Sequence, residues 1–265
     1  MPEPLFELKN AGFSYLGKFS ALKDISLNIK TGESIVILGA NGSGKSTLLS
    51  IMSGLAFLDS GSFKAFGRPI DKDTFNDDNF RREFRQGVGL LFQNSDIQLF
   101  CSTVEEELYF GPLQLGMAQE KASAEVENLS NLLGIKKLLQ RSPHQLSIGE
   151  KRKVAIASIL AVNPQVLLLD EPTAGLDAGT CTELIDLILE YHQQAKTIIT
   201  ATHDLHIAQE IADTIYIFNE EKSIAASGSC ADILSNQELL LKHNLAHIHT
   251  HRHDHTLHKH LHSHP

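Results

Sequence analysis

ESIVILGANGSGKSTLLSIMSGL, residues 33–55, is the stretch from which the rest of the chain can be read. Its opening, ESIVILG, is a continuous apolar run without alternation, as in a strand buried on both faces. Its end places Leu48, Leu49, Met52 and Leu55 at helical spacing. Between them Gly39 to Ser46 fits G-x-x-x-x-G-K-[ST]. Glycines in such a loop let backbone N–H groups wrap a phosphate chain at a helix N-terminus, where the helix dipole favours anions. Strand, loop and helix in that order make Asn41, Gly42, Ser43, Gly44, Lys45, Ser46 and Thr47 the expected phosphate site of a nucleotide. Lys45 is expected to reach the β- and γ-phosphates, and the Ser46 hydroxyl to ligate Mg2+.

Downstream, VLLLDEP (166–172) buries a strand and delivers Asp170 and Glu171 at its carboxyl end, where ligands of open α/β sheets bind. Asp170 is expected to hold Mg2+, directly or through water, and Glu171 to polarise an attacking water. A D-E pair closing a strand is often only the start of a loop. Its pairing with the glycine loop makes it a catalytic candidate.

Outward from these two motifs the chain alternates strands and helices. LFELKNAGFSYL and ALKDISLNI alternate apolar and polar residues as half-buried, antiparallel strands do. Residues 104–142 carry helix formers with apolar residues three and four apart, a helical insertion. Helices at about 149–162 and 179–194 flank VLLLD, and KTIITATH, a short helix, TIYIFNE and SIAASG follow. Such alternation predicts an α/β fold with a parallel sheet covered on both faces.

Composition narrows the function. At 265 residues with 42% hydrophobic content the chain has ample length for a core. A net charge of −9 and the lack of a Lys/Arg stripe argue against nucleic acid as a partner. Cys101, Cys181 and Cys230 are scattered and read as reduced thiols. MPEPLFELKN lacks the pattern of a signal peptide, and the longest apolar runs fall well short of the roughly 20 residues that cross a bilayer. The expected place is the cytoplasmic face of a membrane, peripherally on a protein that spans it.

With LSIGEKRKVAIA (146–157), EPTAGLD (171–177) and ATHD (201–204), the order and spacing of motifs resemble the ATP-binding cassette ATPases over about residues 5–235. The resemblance implies a P-loop ATPase domain: a RecA-like core, an N-terminal antiparallel β subdomain and a helical subdomain at about 94–164. It also implies ATP and Mg2+ as cofactors. Carried over by position, Tyr15 resembles the aromatic that stacks on adenine, and Gln93 the glutamine that touches Mg2+ and links to the membrane partner. Ser147 and Gly149 resemble signature residues that close on the γ-phosphate of the opposite subunit's nucleotide. Asp177 looks like the residue that signals across that interface, and His203 like the one that contacts the γ-phosphate and orders Glu171. Taken alone, Tyr15 and His203 would more often be packing residues. Two cassettes, expected as a homodimer, meet head to tail in this scheme.

One departure stands out: the signature reads L-S-I-G-E, with Ile148 for the usual first glycine and Glu150 for glutamine. A β-branched residue adopts a positive φ poorly, and Glu150 brings negative charge towards phosphate. Function is expected to survive, because the phosphate contacts come from Ser147 and the backbone near Gly149.

LLFQNSDIQLFCSTVEEELYFGPLQLG (90–116) resembles the energy-coupling factor importers, including the cobalt and nickel subgroup. The resemblance implies that the Gln93–Phe100 region and the helical subdomain receive an integral-membrane transport subunit, beside a substrate-capturing membrane subunit. Leu99, Phe100 and Phe110 could equally pack the subdomain itself.

The chain closes on residues 236–265, an extension ending HIHTHRHDHTLHKHLHSHP (247–265), with ten of its fourteen histidines from His243 onward. A purification tag is the plain alternative, but Thr250, Arg252, Asp254, Thr256, Lys259 and Ser263 interrupt the run. Imidazoles at His247, His249, His251, His253, His255, His258, His260, His262 and His264 suit Ni2+ or Co2+, and affinity should fall below about pH 6.5 as protons compete. The expectation is a disordered, metal-binding tail on the ATPase of a nickel or cobalt importer. The competing readings are a vitamin importer and a metal sensor or store with a regulatory cassette.

Overall fold

The structure is a computed structural model that describes the backbone of residues 3–253 and 256–263 and the side chains of residues 3–246. The chain forms two compact units, Met1–Lys72 with Ile199–Pro265, and Asp73–Ile198.

The first unit opens with β1 (Phe6–Tyr15) and β2 (Phe19–Ile29), antiparallel as their alternation predicts, with Phe6 opposite Ile29 and Leu8 opposite Leu27. Next come β3 (Ser34–Gly39), buried along its whole length, α1 (Lys45–Met52), β4 (Ser60–Ala65) and the short β5 (Arg68–Pro69). These give a four-stranded sheet ordered β2-β1-β4-β5. Phe6 is fully buried in it, meeting Phe63 edge-on at 5.3 Å.

The second unit begins with α2 (Asp78–Gly87), capped by Asp77, whose carboxylate accepts from the N–H groups of Asn79 and Phe80. Its Phe80 and Phe84 pack edge-on or tilted against each other and Phe75. Then follow β6 (Val88–Leu91), α3 (Val104–Gln114), α4 (Gln119–Leu132), α5 (Ile148–Leu160), β7 (Val166–Asp170) and α6 (Ala178–Gln193). β6 and β7 are parallel, with Leu91 opposite Leu169. α3 and α4 form the helical insertion, α3 starting on a capping box between Thr103 and Glu106.

β8 (Thr197–Thr202) carries the chain back into the first unit. There α7 (Leu205–Ile211), β9 (Thr214–Phe218), β10 (Ile224–Ser229), α8 (Cys230–Ser235) and α9 (Gln237–Lys242) follow. In this unit the strands run in the order β10-β9-β3-β8. β3 and β9 are parallel and β10 is antiparallel to β9, so the expected parallel sheet ends in an antiparallel edge. A tight Asn219–Ser223 turn is short enough to reverse the strand without a crossover helix.

In the tail the described backbone runs as β11 (Ala246–His253) and β12 (Thr256–Ser263), an antiparallel pair. Its register sets His247 opposite His262, His249 opposite His260 and His251 opposite His258. Alternation of histidine with Ile248, Thr250 and other residues has the period of a strand, which the paired form uses. His255 and His264 lie outside the described residues.

Candidate functional site

In the first unit the loop between β3 and α1 has the conformation its glycines imply. Gly42 and Gly44 take φ values of 77° and 106°. A Cβ at Gly44 would come within 2.4 Å of the Ala21 carbonyl oxygen, so this position excludes a side chain by space as well as by φ. α1 starts at Lys45 with no side-chain cap and no acidic residue in its first turn. Its leading N–H groups therefore have no anion of their own. The Ser43 hydroxyl is buried without a hydrogen-bond partner. Lys45 is 5% exposed, its ammonium donating to the carbonyls of Gly39 at 2.7 Å and Ala40 at 3.2 Å. An uncapped helix start, an orphaned buried hydroxyl and a buried cation suit a phosphate chain. Asn41 and Ser46 are exposed, whereas Thr47 is buried.

Tyr15, at the end of β1, belongs to the same place. Its ring is 49% exposed, braced edge-on by Phe13 at 5.0 Å, and its hydroxyl pairs with the Thr47 hydroxyl at 3.1 Å. An exposed ring held beside the start of α1 offers a stacking face for a base. His203 follows β8, the strand next to β3, and is half-buried.

In the second unit, β7 is buried throughout and ends in Asp170 and Glu171, themselves 7% and 6% exposed. Glu171 adopts φ 44°, a left-handed conformation a non-glycine residue reaches at a cost of about 1–3 kcal/mol. The turn after it closes by hydrogen bonds from Ala174 N–H to the Glu171 carbonyl and from Leu176 N–H to the Thr173 carbonyl. Asp177 then caps α6, accepting from the Thr180 N–H at 3.0 Å and the Thr180 hydroxyl at 2.7 Å. These bonds hold its carboxyl below the usual aspartate range.

Ser147 is the N-cap of α5, with φ −64°. Ile148 is therefore the first helical residue, exposed at 65%, and it is not among the residues of positive φ, so its branched side chain meets no backbone obstacle. Glu150 closes a capping box. Its carboxylate accepts from the Ser147 N–H and hydroxyl, both at 2.9 Å, while its own N–H donates to the Ser147 hydroxyl oxygen at 3.3 Å. Those bonds from Ser147 hold the Glu150 carboxyl below the usual range.

Gln93, exposed just after β6, is held through its backbone. The Arg152 guanidinium, buried in α5, donates to the carbonyls of Phe92 and Gln93, both at 2.7 Å. Burial lowers the Arg152 pKa, partly offset by attraction to Asp170. The structure thus brings Tyr15 to the phosphate loop in one unit and ties Gln93 to the signature helix through one arginine in the other, with Asp170 close enough to attract it. Sequence reading passed over Arg152, and also Lys222, whose ammonium donates to the Gly42 carbonyl from 180 residues away. No local pattern marks Lys222. Arg152 stands inside the quoted signature stretch, where a cation so close to an apolar run was the available signal.

Among the described residues no cluster of three or more His, Cys, Asp or Glu could hold a metal ion, and no helix is long and apolar enough to cross a membrane.

Comparison with known proteins agrees with this geometry. The family model described as ABC transporter matches residues 22–174. The chain is 43% identical over 245 residues to a nickel import ATP-binding protein of Rhodobacter capsulatus, covering 91% of this chain and 96% of that one. It is 41% identical over 243 residues to an energy-coupling factor transporter ATP-binding protein of Methanospirillum hungatei, covering 92% of this chain and 60% of that one. Among solved structures, a cassette from Clostridium perfringens described as part of the ABC transporter complex cbiONQ superposes with TM-score 0.77 at 33% identity, over 92% of this chain and 96% of that one. The chain belongs to the ABC transporter family and is one of its ATP-hydrolysing cassettes.

Proposed function

We propose that this cassette energises uptake of a transition-metal cation, nickel or cobalt, as the peripheral ATPase of a membrane importer. The observation that carries the cargo is the likeness along 91% of the chain to a nickel import protein, in a sequence whose last nineteen residues alternate histidine with other residues.

ATP enters with its base on Tyr15 and its phosphates over Asn41, Gly42, Ser43, Gly44, Lys45, Ser46 and Thr47. Lys45 turns from the loop carbonyls to the β- and γ-phosphates. Ser46, Gln93 and Asp170 would hold Mg2+, which would offset phosphate charge. Glu171 accepts a hydrogen bond from the attacking water and orients it towards the γ-phosphorus, and His203 contacts the γ-phosphate. A second copy of the chain supplies Ser147 and Gly149 across a head-to-tail interface, with Asp177 beside it. The likeness of Ser147 and Gly149 to signature residues supports this pairing: in that scheme the start of α5 meets a nucleotide phosphate only when two cassettes close. The transport subunit docks on the Gln93–Phe100 loop and the helical insertion, at the cytoplasmic face of the membrane, next to a substrate-capturing subunit.

Imidazoles of the tail bind the cargo ion, a reading supported by the recurrence of histidine at nearly every second position of the sequence. The test is total nickel, cobalt and zinc in metal-starved cells carrying the intact protein, Glu171→Gln, or a chain ending before Ala246. Selective loss of one metal in the Glu171→Gln cells names the cargo, and the truncated chain gives the tail's share. Unchanged metals in all three would reject metal import. That result would favour an energy-coupling vitamin importer, and the relative named as an energy-coupling factor transporter ATP-binding protein supports the energy-coupling class alone.

A further inference from the structure

The Gln93–Phe100 loop is fastened to the signature helix by two consecutive residues. Arg152 holds the backbone at Phe92 and Gln93, and the Lys151 ammonium lies 2.5 Å from the Asp96 carboxylate. Lys151 is 19% exposed and Asp96 60% exposed, so the ammonium stands fixed against α5 while the carboxylate faces outward. Asp96 sits in a single helical turn, Ser95–Ile97, whose start is capped by the Asn94 side chain. Ile97 and Phe100, on either side of the buried Leu99, expose 69% and 65% of their surface. The far end of the loop is pinned separately: the buried Glu107 carboxylate accepts from the N–H groups of Phe100 and Cys101 at 3.0 and 2.7 Å. Between loop and helix runs a cleft lined by Gln93, Asp96, Ile148 and Lys151. The Lys151–Asp96 pair spans it.

We propose that Lys151 and Asp96 are positioning residues that transmit occupancy of the 93–100 loop to the signature helix start, where Ser147 and Gly149 await phosphate. This inference rests on the docking reading above. Pressure on Ile97 or Phe100 moves a loop that is closed at one end by Glu107, so displacement passes through the Asp96 carboxylate. Lys151 lies one turn from Ser147 on α5, a packed rigid element, and carries that displacement to the helix start. Arg152 fixes the backbone at the root of the same loop and makes the motion a pivot. An ion pair whose carboxylate faces solvent contributes little to stability, so its removal leaves the fold intact and isolates the coupling.

The test compares the isolated chain with the chain bound to its membrane transport subunit in lipid vesicles, reading how far the subunit stimulates ATP hydrolysis. Lys151→Gln should leave hydrolysis by the isolated chain within about twofold of wild type. Stimulation should fall between about two- and thirtyfold, the range for cutting one link in such a network. Lys151→Arg should keep stimulation, Asp96→Asn should lose it as Lys151→Gln does, and the double variant should be no worse than either, as a shared contact requires. Normal stimulation in Lys151→Gln, equal losses with and without the subunit, or losses that multiply in the double variant would overturn the inference. Ile97→Asp and Phe100→Asp separate it from the docking reading. If those variants assemble normally with the subunit, the docking reading fails and the inference with it; if they do not assemble while Lys151→Gln is stimulated normally, the inference alone fails.

Discussion

The two helix starts proposed to meet phosphate in this cassette are prepared in opposite ways. α1 begins at Gly44 and Lys45 with no side-chain cap and no acid in its first turn. α5 begins at Ser147 inside a complete capping box, with the Glu150 carboxylate already on its terminus. Both ends carry the same partial positive charge from their aligned peptides. One is left for an anion from outside, whereas the other supplies its own. The departure from glutamine to glutamate at position 150 thus has a local consequence: either residue can close the box, but glutamate places a full negative charge on the helix start, where it is expected to compete with an incoming phosphate.

The largest losses are expected at the open end, α1. Lys45→Ala and Gly44→Ala should each weaken ATP binding by about a hundredfold or more, as removing a charge-assisted contact or burying a clash does at a preorganised site. Titration with a fluorescent ATP analogue measures this, and near-normal affinity in both would mean the loop does not hold the phosphates. Next in size, Ser147→Ala removes the N-cap and should cost about 1 kcal/mol of stability in denaturant melts, together with loss of ATP-driven pairing.

Glu150→Gln sharpens the contrast instead. Glutamine keeps the capping geometry without the charge. Pairing of ATP-loaded chains, followed by sedimentation in a Glu171→Gln background, should strengthen about two- to fivefold, the worth of one charge at a helix end. Weaker pairing would show that the carboxylate assists rather than competes. Ile148→Gly should change hydrolysis by less than about twofold, since Ile148 already takes helical φ and glycine there costs at most about 1 kcal/mol of helix propensity. A large gain would mark a signature deliberately weakened by Ile148.

The smallest effect is on pH dependence. Because the Glu150 carboxyl is held below its usual range, its cap contributes fully above about pH 4.3 and is lost as pH falls through the depressed value. The stability difference between wild type and Glu150→Gln, expected at a few tenths of a kcal/mol for so exposed a group, should be flat from about pH 5 upward and change only in acid.

Much of this molecule was legible in the chain because its signals are local. The loop of residues 39–46 joins a buried strand to a helix within one short window, and VLLLD announces a strand with carboxylates at its end. The 149–162 helix falls within two residues of α5. Less legible were α2, whose Phe80 and Phe84 face a cluster completed by Phe75, and the tail, where alternation fits a loose extended chain and a paired strand equally well. Asp177 and Glu150 show the same ambiguity at the site. A carboxylate beside a motif reads as chemistry, yet both spend their oxygens on the helix starts that follow or contain them.

Local sequence was enough for the ATP-binding class, the strand-loop-helix of residues 34–52 and the carboxylates that end β7, because each depends on residues within about one element of each other. The tertiary structure alone decided that Arg152 holds the Gln93 backbone, that Lys151 reaches Asp96 across 55 residues and that Lys222 donates to the Gly42 carbonyl. Those contacts join residues far apart in sequence, and only packing of the elements between them determines which charged ends meet.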